Sequence, residues 1–293
     1  MFLQQLINGL TIGSTYAIFA VGYTLILGVL GIINMAHGTV FMLSAYSGLL
    51  VANYFSTNIV VIILGGMLMG AFLGFLLEML VFRPISKRSA GTMASLIGTI
   101  GISIFLQSVA ESLFGPQTQR FPSGIIEGSI AFGSVQLSYI QILSFVTAIA
   151  LMVVIGYFIS STKTGRAIRT TAENPEAAIL LGINTKSITM VTTVLSSALA
   201  GVSGVLIGLM YNAIEPTMGA TMSFNGLAVI IFGGLGNVEG AVIGGFILGI
   251  AEVFTVAFGA SQFRDAIAFV LILGILFFKP QGLFGNSRKG GRV

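Results

Sequence analysis

The sequence predicts an all-α, polytopic membrane protein, and two observations carry that prediction. Of its 293 residues, 55% are hydrophobic and 8% are charged, and the mean hydropathy is +1.02, whereas soluble domains carry about 25% charged residues. The apolar residues also form long runs, such as 60–82 and 137–159. A run of more than about 18 such residues can cross a hydrocarbon core of about 30 Å as a helix. A soluble globular enzyme is thereby excluded, and so is a membrane β-barrel, whose segments are short and alternating.

The apolar stretches predict a single transmembrane domain over residues 1–293, built as a helical bundle of about eight spans. The last three stretches are short or interrupted by glycine, so not every stretch need cross fully. The first stretch has no basic region before it and no small-residue cleavage signal, which favours a retained span. The stretches are residues 6–30, 35–54, 58–82, 92–114, 137–160, 188–211, 223–235, 241–258 and 265–278.

The basic residues predict the orientation, because connecting segments rich in Lys and Arg remain in the cytoplasm. They cluster after the third stretch, in the loop 161–187 and in the C-terminal tail, so these regions are predicted to be cytoplasmic. The loop 115–136 carries few charges and is predicted to be extracytoplasmic, which places the N-terminus outside if the first two stretches both cross. The clustered residues are Arg83, Lys87, Arg88, Lys163, Arg166, Arg169, Lys186, Lys279, Arg288, Lys289 and Arg292.

Two glycine-rich polar breaks, at residues 28–38 and 233–245, interrupt the apolar stretches. Paired glycine-interrupted segments in the two halves of a transporter point to its translocation path, because irregular backbone survives at membrane depth only inside protein or beside a watery cavity. We therefore expect the breaks to approach each other and to line a path. The alternative is an ordinary turn at each break. The path candidates are Asn34, His37, Gly38, Gly234, Gly236 and Asn237.

Glu252 is the deepest carboxylate in the apolar stretches and is added to the path candidates. A carboxylate at the bilayer centre costs about 2.5–3.5 kcal/mol, so Glu252 is expected to face the bundle interior or a partner subunit. Glu252 either takes part in transport, for example in a proton relay with His37, or forms an interhelical hydrogen bond.

Small residues also repeat every four positions, which allows close helix packing in lipid. These repeats either pack helices within one subunit or form a seam with a partner. They lie at Gly66, Gly70 and Gly74, at Gly204 and Gly208, at Gly240 and Gly244, and at Gly245 and Gly249.

The loop 161–187 encodes a short helix of its own. Asn174 is a good N-cap, Pro175 suits the first helical position, Glu176 complements the helix dipole, and Gly182 is a natural stop. A short helix that exposes apolar residues to the cytoplasm requires a docking partner. The alternative is a helix lying on lipid, although such helices are usually longer and more basic.

Several motifs together resemble the permease family of branched-chain amino acid ABC importers, and Glu176-Ala177-Ala178 with Gly182 resembles the coupling loop of ABC importer permeases. The resemblance covers nearly the whole chain, and its one noted departure is Met35, where the family commonly has Phe. The further motifs are Asn8-Gly9-Leu10-Thr11-Ile12-Gly13-Ser14-Thr15-Tyr16-Ala17, Ile33-Asn34-Met35-Ala36-His37-Gly38, Arg83-Pro84-Ile85, and residues 233–245 followed by Glu252.

The resemblance implies a subunit of a larger complex in the cell membrane of a prokaryote. Its partners would be a second, homologous permease, two cytoplasmic ATPases and an extracytoplasmic substrate-binding protein, with membrane lipid around them. The substrate would be a branched-chain amino acid, or urea or a short-chain amide as in other family members. The ATPase-coupling residues would be Glu173, Asn174, Pro175, Glu176, Ala177, Ala178 and Gly182.

Two other classes of protein compete with this interpretation. A membrane-embedded enzyme would need acid–base pairs, a nucleophile or metal ligands, and a chain with one histidine and no cysteine offers few of them. A passive channel for a small neutral solute would suit the glycine-rich segments but has no use for a docking helix. The chain has no phosphate-binding Gly-x-x-x-x-Gly-Lys-[Ser/Thr] motif, so ATP hydrolysis is expected in separate subunits. No cofactor, metal or nucleic acid is predicted.

Overall fold

A computed structural model describes residues 2–87, 91–125, 128–132, 135–264 and 266–285. Several residues used in the sequence predictions lie outside these ranges, namely Arg88, Arg288, Lys289, Arg292 and Asp265. The described part is a helical bundle with one small β-hairpin.

The helices follow the apolar stretches closely. Between the long helices lie a π-helical turn at Glu78–Phe82 and a 3₁₀ turn at Ser261–Phe263. In chain order the elements are α1 (Phe2–Leu30), α2 (His37–Tyr54), α3 (Ile59–Leu77), α4 (Arg83–Lys87), α5 (Gly91–Phe114), β1 (Ser129–Phe132), β2 (Val135–Ser138), α6 (Tyr139–Ser161), α7 (Lys163–Glu173), α8 (Pro175–Leu180), α9 (Thr185–Tyr211), α10 (Met218–Gly233), α11 (Val238–Ala257) and α12 (Ala266–Phe278).

Six helices among the described residues are long and apolar enough to cross a membrane: α1, α5, α6, α9, α11 and the continuous segment Ile59–Ile85. Two further apolar helices, α10 and α12, are shorter, and α2 has 18 residues. The multi-pass helical class is confirmed, whereas the count of about eight spans is not.

The core of the bundle forms around α1 and α9, whose side chains are mostly buried, while α5 and α6 expose apolar faces. The glycine repeats explain how the central helices approach so closely. Gly70 of α3 packs against the backbone of Ser197 in α9, and a methyl group on Gly245 of α11 would lie 2.6 Å from Cα of Ala17 in α1. These repeats therefore pack helices within this subunit, as the simpler of the two interpretations predicts.

Among the elements that the sequence did not predict are the β-hairpin and α7. β1 and β2 form an antiparallel hairpin with Ser129 opposite Ser138, so the expectation of a purely helical chain is wrong at this point. The side chain of Gln4 donates to Gln136 O at 2.9 Å, which attaches the hairpin to the start of α1. The second element is α7, which begins where Thr162 Oγ1 accepts from Gly165 N at 2.9 Å and which buries Ile168.

Candidate functional site

The first break carries the chain back into the bundle after α1 ends. Gly31 has φ +66°, a left-handed conformation that glycine adopts without strain, and regular helix resumes only at His37. Asn34 Oδ1 accepts from Ala36 N at 3.1 Å, which holds the last turn before α2. Asn34 and His37 are fully buried, so α2 begins in the protein interior.

His37, the first residue of α2, packs against aromatic rings from the middle of α1. Its ring centroid is 4.7 Å from that of Phe19 and 5.2 Å from that of Tyr23, and the planes of His37 and Tyr23 are inclined by 30°. Gly22 and His37 are also in contact, and Gly22 O accepts a hydrogen bond from Ser196 Oγ of α9. Gly22 lies eight residues before Leu30, the last residue of α1. Along the axis of α1, His37 is therefore roughly 12 Å from the end of this helix.

Gly38 is the point where α2 meets α10. It packs against Gly219 O and Ser223 Oγ at the beginning of α10, and Ser223 Oγ donates to Met35 O at 3.4 Å. The N-terminal turns of α2 and α10 therefore lie against each other inside the bundle.

The second break is a compact turn between α10 and α11. Gly234 and Gly236 have φ +113° and +80°, and Asn237 caps α11 by accepting from Gly240 N at 2.9 Å. The C-terminal segment 279–285 closes over this turn. Asn237 Nδ2 donates to Phe284 O at 3.0 Å, and the backbone of Phe284 donates to Gly233 O at 2.9 Å.

Two adjoining cavities of about 310 and 500 Å³ connect the second break with the end of α1 and with α7. Gly28, Arg169, Gly236 and Asn237 line both of them. Gly28, the first residue of the first break, is thus brought to the second break. Of the other residues of the first break, His37 contacts α1 and Gly38 contacts α10, and Asn34, His37 and Gly38 line neither cavity.

The short helix α8 forms as predicted, with the caps that the sequence indicates. Asn174 Oδ1 accepts from Glu176 N and from Ala177 N, both at 3.0 Å, and Pro175 opens the helix. Gly182 has φ +79° just beyond its end. Ala178 is buried against the rest of the chain, while Glu173, at the end of α7, is exposed.

The outer surface of α8 is apolar. Ile179, Leu180 and Leu181 are 59%, 88% and 73% exposed. These are large apolar side chains next to one another on a helix flanked by the basic α7, and contiguous exposed apolar surface of this kind marks an interaction site.

Glu252 forms interhelical hydrogen bonds, which is one of the two alternatives that the sequence analysis leaves open. Its side chain is 1% exposed and forms an ion pair with Arg264 at 3.1 Å. It also accepts from the Tyr16 hydroxyl at 2.8 Å and from Asn225 Nδ2 at 3.1 Å. One carboxylate thus ties together α1, α10, α11 and the segment before α12.

Arg264 and Tyr211 belong to this network and were not singled out from the sequence. Arg264 Nη2 donates to the Tyr211 hydroxyl at 2.6 Å, and the guanidinium lies 5.2 Å from the centre of the Tyr211 ring. Burial alone would lower the pKa of Arg264, but Tyr16, Tyr211 and Glu252 around it hold that pKa above its usual value. Its position in a short polar connection between two apolar helices is the signal that could have drawn attention to it.

Among the residues that the structure describes, no group of three or more His, Cys, Asp or Glu side chains could hold a metal ion. The polar groups at the two breaks and around Glu252 are amides, hydroxyls, an imidazole and one ion pair. This arrangement can bind or conduct a polar solute.

The family described as "Branched-chain amino acid transport system / permease component" matches residues 5–276. The high-affinity branched-chain amino acid transport system permease protein BraD of Pseudomonas aeruginosa is 35% identical, over 97% of this chain and 96% of that protein. The corresponding LivH protein of Escherichia coli is 34% identical over the same shares of both chains.

A solved structure also has a similar fold. It is described as PsaBC from Streptococcus pneumoniae in complex with Fab, and its matching chain aligns with a TM-score of 0.52 over 96% of this chain and 93% of that chain. With 14% sequence identity, the likeness concerns the fold alone.

Proposed function

Because the chain belongs to the permease family of branched-chain amino acid transport systems, we propose that it is a permease subunit of an ATP-driven importer of branched-chain amino acids. BraD and LivH are named for high-affinity branched-chain amino acid transport, and they are 35% and 34% identical to this chain over nearly its full length. This similarity supports the substrate class. Import of urea or a short-chain amide, and passive conduction of a small neutral solute, are not favoured.

The observation that carries the ATP-driven part of the proposal is the exposed apolar surface of α8. We infer that α8 is a coupling helix that inserts into a groove of an ATPase subunit. The apolar side chains Ile179, Leu180 and Leu181 would be buried there, and burial of one such side chain contributes about 1.5–3 kcal/mol. The coupling residues are Glu173, Asn174, Pro175, Glu176, Ala177, Ala178 and Gly182, of which Asn174 and Gly182 shape the ends of the helix.

The complex would contain this chain, a second homologous permease, two cytoplasmic ATPases and an extracytoplasmic substrate-binding protein. We place it in the cell membrane of a prokaryote, with about eight spans in this chain once the shorter helices are counted. The basic α7, α8 and the second break would face the cytoplasm. The start of α1 and the β-hairpin would then face outward.

The residues proposed for the path fall into two groups. Asn34, His37 and Gly38 lie buried near the contact between α2 and α10. Gly236 and Asn237 line the cavities near the cytoplasmic end, and Gly234 belongs to the turn beside them. Glu252 is held by Tyr16, Asn225 and Arg264, which supports a role behind the path wall.

The test is reconstitution of the complete complex in liposomes, with uptake of leucine and ATP hydrolysis measured together. Replacing the exposed Glu176 by Trp should leave insertion unchanged, because its side chain points to solvent. A bulky ring on the docking surface should abolish the coupling of hydrolysis to uptake. The matched control is Glu111→Trp, an exposed glutamate at the end of α5.

Normal coupled uptake in the Glu176→Trp complex would show that α8 is not the docking element. A wild-type complex whose ATP hydrolysis does not respond to leucine together with the binding protein would show that the substrate class is wrong.

A further inference from the structure

We propose that a cavity at the end of the bundle opposite α8 binds the zwitterionic head group of an apolar amino acid on its way into the membrane domain. This inference rests on the proposed function and specifies where, and with which groups, this chain recognises its substrate. The juxtaposition of Arg264, Glu215 and an apolar wall carries it.

The cavity has a volume of about 400 Å³, within the range of about 300–1,000 Å³ that small-molecule sites occupy. Its position follows from the helix directions. Tyr211 ends α9, which begins next to α8, and Arg264 follows α11, which begins at the second break. Both residues line the cavity, so it opens at the end away from the basic α7 and α8, which the proposed orientation makes extracytoplasmic.

One side of the cavity attracts a carboxylate. The guanidinium of Arg264 lines it with 35% of its side chain exposed. A guanidinium has five N–H donors, and the described contacts to Glu252 and Tyr211 use Nε and Nη2. The N-terminal end of α10, at Thr217 and Met218, lines the same space and adds the positive end of a helix dipole.

The opposite charge is supplied by Glu215 at the rim of the cavity. Its carboxylate accepts from Thr118 Oγ1 at 2.8 Å, and it is exposed to solvent. Two backbone hydrogen bonds of 2.9 Å between Gln119 and Ile214 fix this rim. Glu215 is therefore a positioned anion. A carboxylate and a guanidinium that line one cavity suit a ligand that carries both an ammonium and a carboxylate.

An apolar patch forms another part of the wall. Phe41, Ile207 and Met222 line it, and Phe41 and Met222 are buried in the core. Methionine adapts its shape to differently branched partners. A hydrocarbon side chain between these residues would lose water-exposed surface, whereas a polar side chain would lose hydrogen bonds to water without replacement.

Glu252 acts behind this wall as a positioning residue. Tyr16, Asn225 and Arg264, which contact its carboxylate, line the cavity, while Glu252 itself is buried. The carboxylate holds a hydroxyl, an amide and a guanidinium of the cavity wall in fixed positions. This explains why a charged residue is retained at membrane depth in α11.

The experiment uses protection of a single cysteine, because the chain has no native cysteine. Thr221→Cys places a thiol on the exposed first turn of α10 in the cavity wall. The full-length chain is assembled with its partner permease and ATPases in lipid nanodiscs, without binding protein. Labelling by a small water-soluble maleimide is measured against increasing leucine, isocaproate, which lacks the ammonium, and isoamylamine, which lacks the carboxylate.

Leucine should slow the labelling, and each analogue should need a concentration about tenfold higher or more, as expected when one charge-assisted hydrogen bond is missing. Glu215→Gln should weaken protection by leucine to the level of isocaproate. Arg264→Lys keeps a cation beside Glu252 but loses the planar fork, and it should weaken protection by leucine while leaving isoamylamine unaffected. The control Glu111→Gln makes the same charge change outside the cavity and should alter nothing.

Equal protection by leucine and either analogue would overturn the inference, as would a Glu215→Gln variant that is protected like the parent. Absence of any protection in a complex whose ATP hydrolysis leucine stimulates through the binding protein would also overturn it, while leaving the proposed function intact. If leucine and the binding protein do not stimulate ATP hydrolysis in the wild-type complex, the proposed function itself is wrong.

Discussion

The two breaks have similar sequences but different structures. Each joins an apolar helix to the next through glycines and an asparagine. Asn237 finds two partners, Gly240 N and Phe284 O, and forms a tight turn at one end of the bundle. Asn34 accepts from Ala36 N in a segment buried inside the bundle, and its Nδ2 has no hydrogen-bond partner among the described residues.

The two breaks therefore differ in how their polar side chains are satisfied. A buried polar atom without a partner costs roughly 1–3 kcal/mol, so a chain retains one where a ligand or water can satisfy it. At the second break the Asn237 side chain is paired, so Gly234, Gly236 and Asn237 are the weaker part of the proposed path. The first break, next to the N-terminus of α10, is the better candidate for a segment that lines the translocation path.

The largest expected effect comes from filling the contact at the first break. Gly38→Val would push side-chain carbons into Gly219 O and Ser223 Oγ, and overpacking of a dense core typically costs about 1–3 kcal/mol, and more where backbone cannot move. We expect a marked fall in the melting temperature of the purified protein in detergent, and a reduced yield of folded protein.

The matched control for this change is Gly101→Val on α5, where an added Cβ meets nothing within 4 Å. It should melt like the parent protein. Equal stability of the two variants would mean that α2 and α10 can separate at Gly38 at little cost, which would itself make this contact a movable one.

An intermediate effect is expected in the accessibility of the two breaks. Single cysteines at Asn34 and Gly236 should differ strongly in labelling by a charged, membrane-impermeant thiol reagent without nucleotide, because Asn34 is buried and Gly236 is exposed. Gly236→Cys should react from the cytoplasmic side. If the first break lines the path, Asn34→Cys should become reactive when ATP drives the cycle.

Two outcomes of this labelling would change the comparison. Protection of Asn34→Cys in every nucleotide state would make both breaks structural. Reaction of Gly236→Cys only from the outside would reverse the orientation that the basic residues predict.

The predictability of each region from sequence depends on whether its signals are local. Asn174, Pro175 and Gly182 fix α8 because capping acts within one turn, and the helix forms as expected. The depth of His37 has no local signal, because it is set by packing against Phe19, Tyr23 and Gly22. The pairing of Glu252 with Arg264 likewise depends on how helices far apart in sequence meet, so the sequence indicates a buried carboxylate but not its partners.

The hairpin and the C-terminal segment were missed for a related reason. Strands of four residues in a segment rich in glycine, proline and serine give too short an alternating pattern to recognise. The hydrogen bonds of Leu283 and Phe284 to the end of α10 depend on the turn of the second break, which brings two distant parts of the chain together.

The smallest expected effect concerns the cap of the second break. Asn237→Ala removes the acceptor for Gly240 N and the donor to Phe284 O. Loss of an N-cap costs about 1 kcal/mol, which corresponds to a melting shift of roughly 2 °C for a chain of 293 residues. Asn58→Ala removes only a cap, at α3, and is the matched control. Both variants should lower the melting temperature similarly, but only Asn237→Ala should speed hydrogen exchange at the amides of Leu283 and Phe284.

Asn237→Asp should separate the two roles, because aspartate caps a helix well but cannot donate to Phe284 O. It should keep the melting temperature and still accelerate exchange at those amides. Unchanged exchange in both Asn237 variants would mean that the backbone bonds to Phe232 and Gly233 hold the C-terminal segment by themselves, and that the second break does not need its asparagine to stay closed.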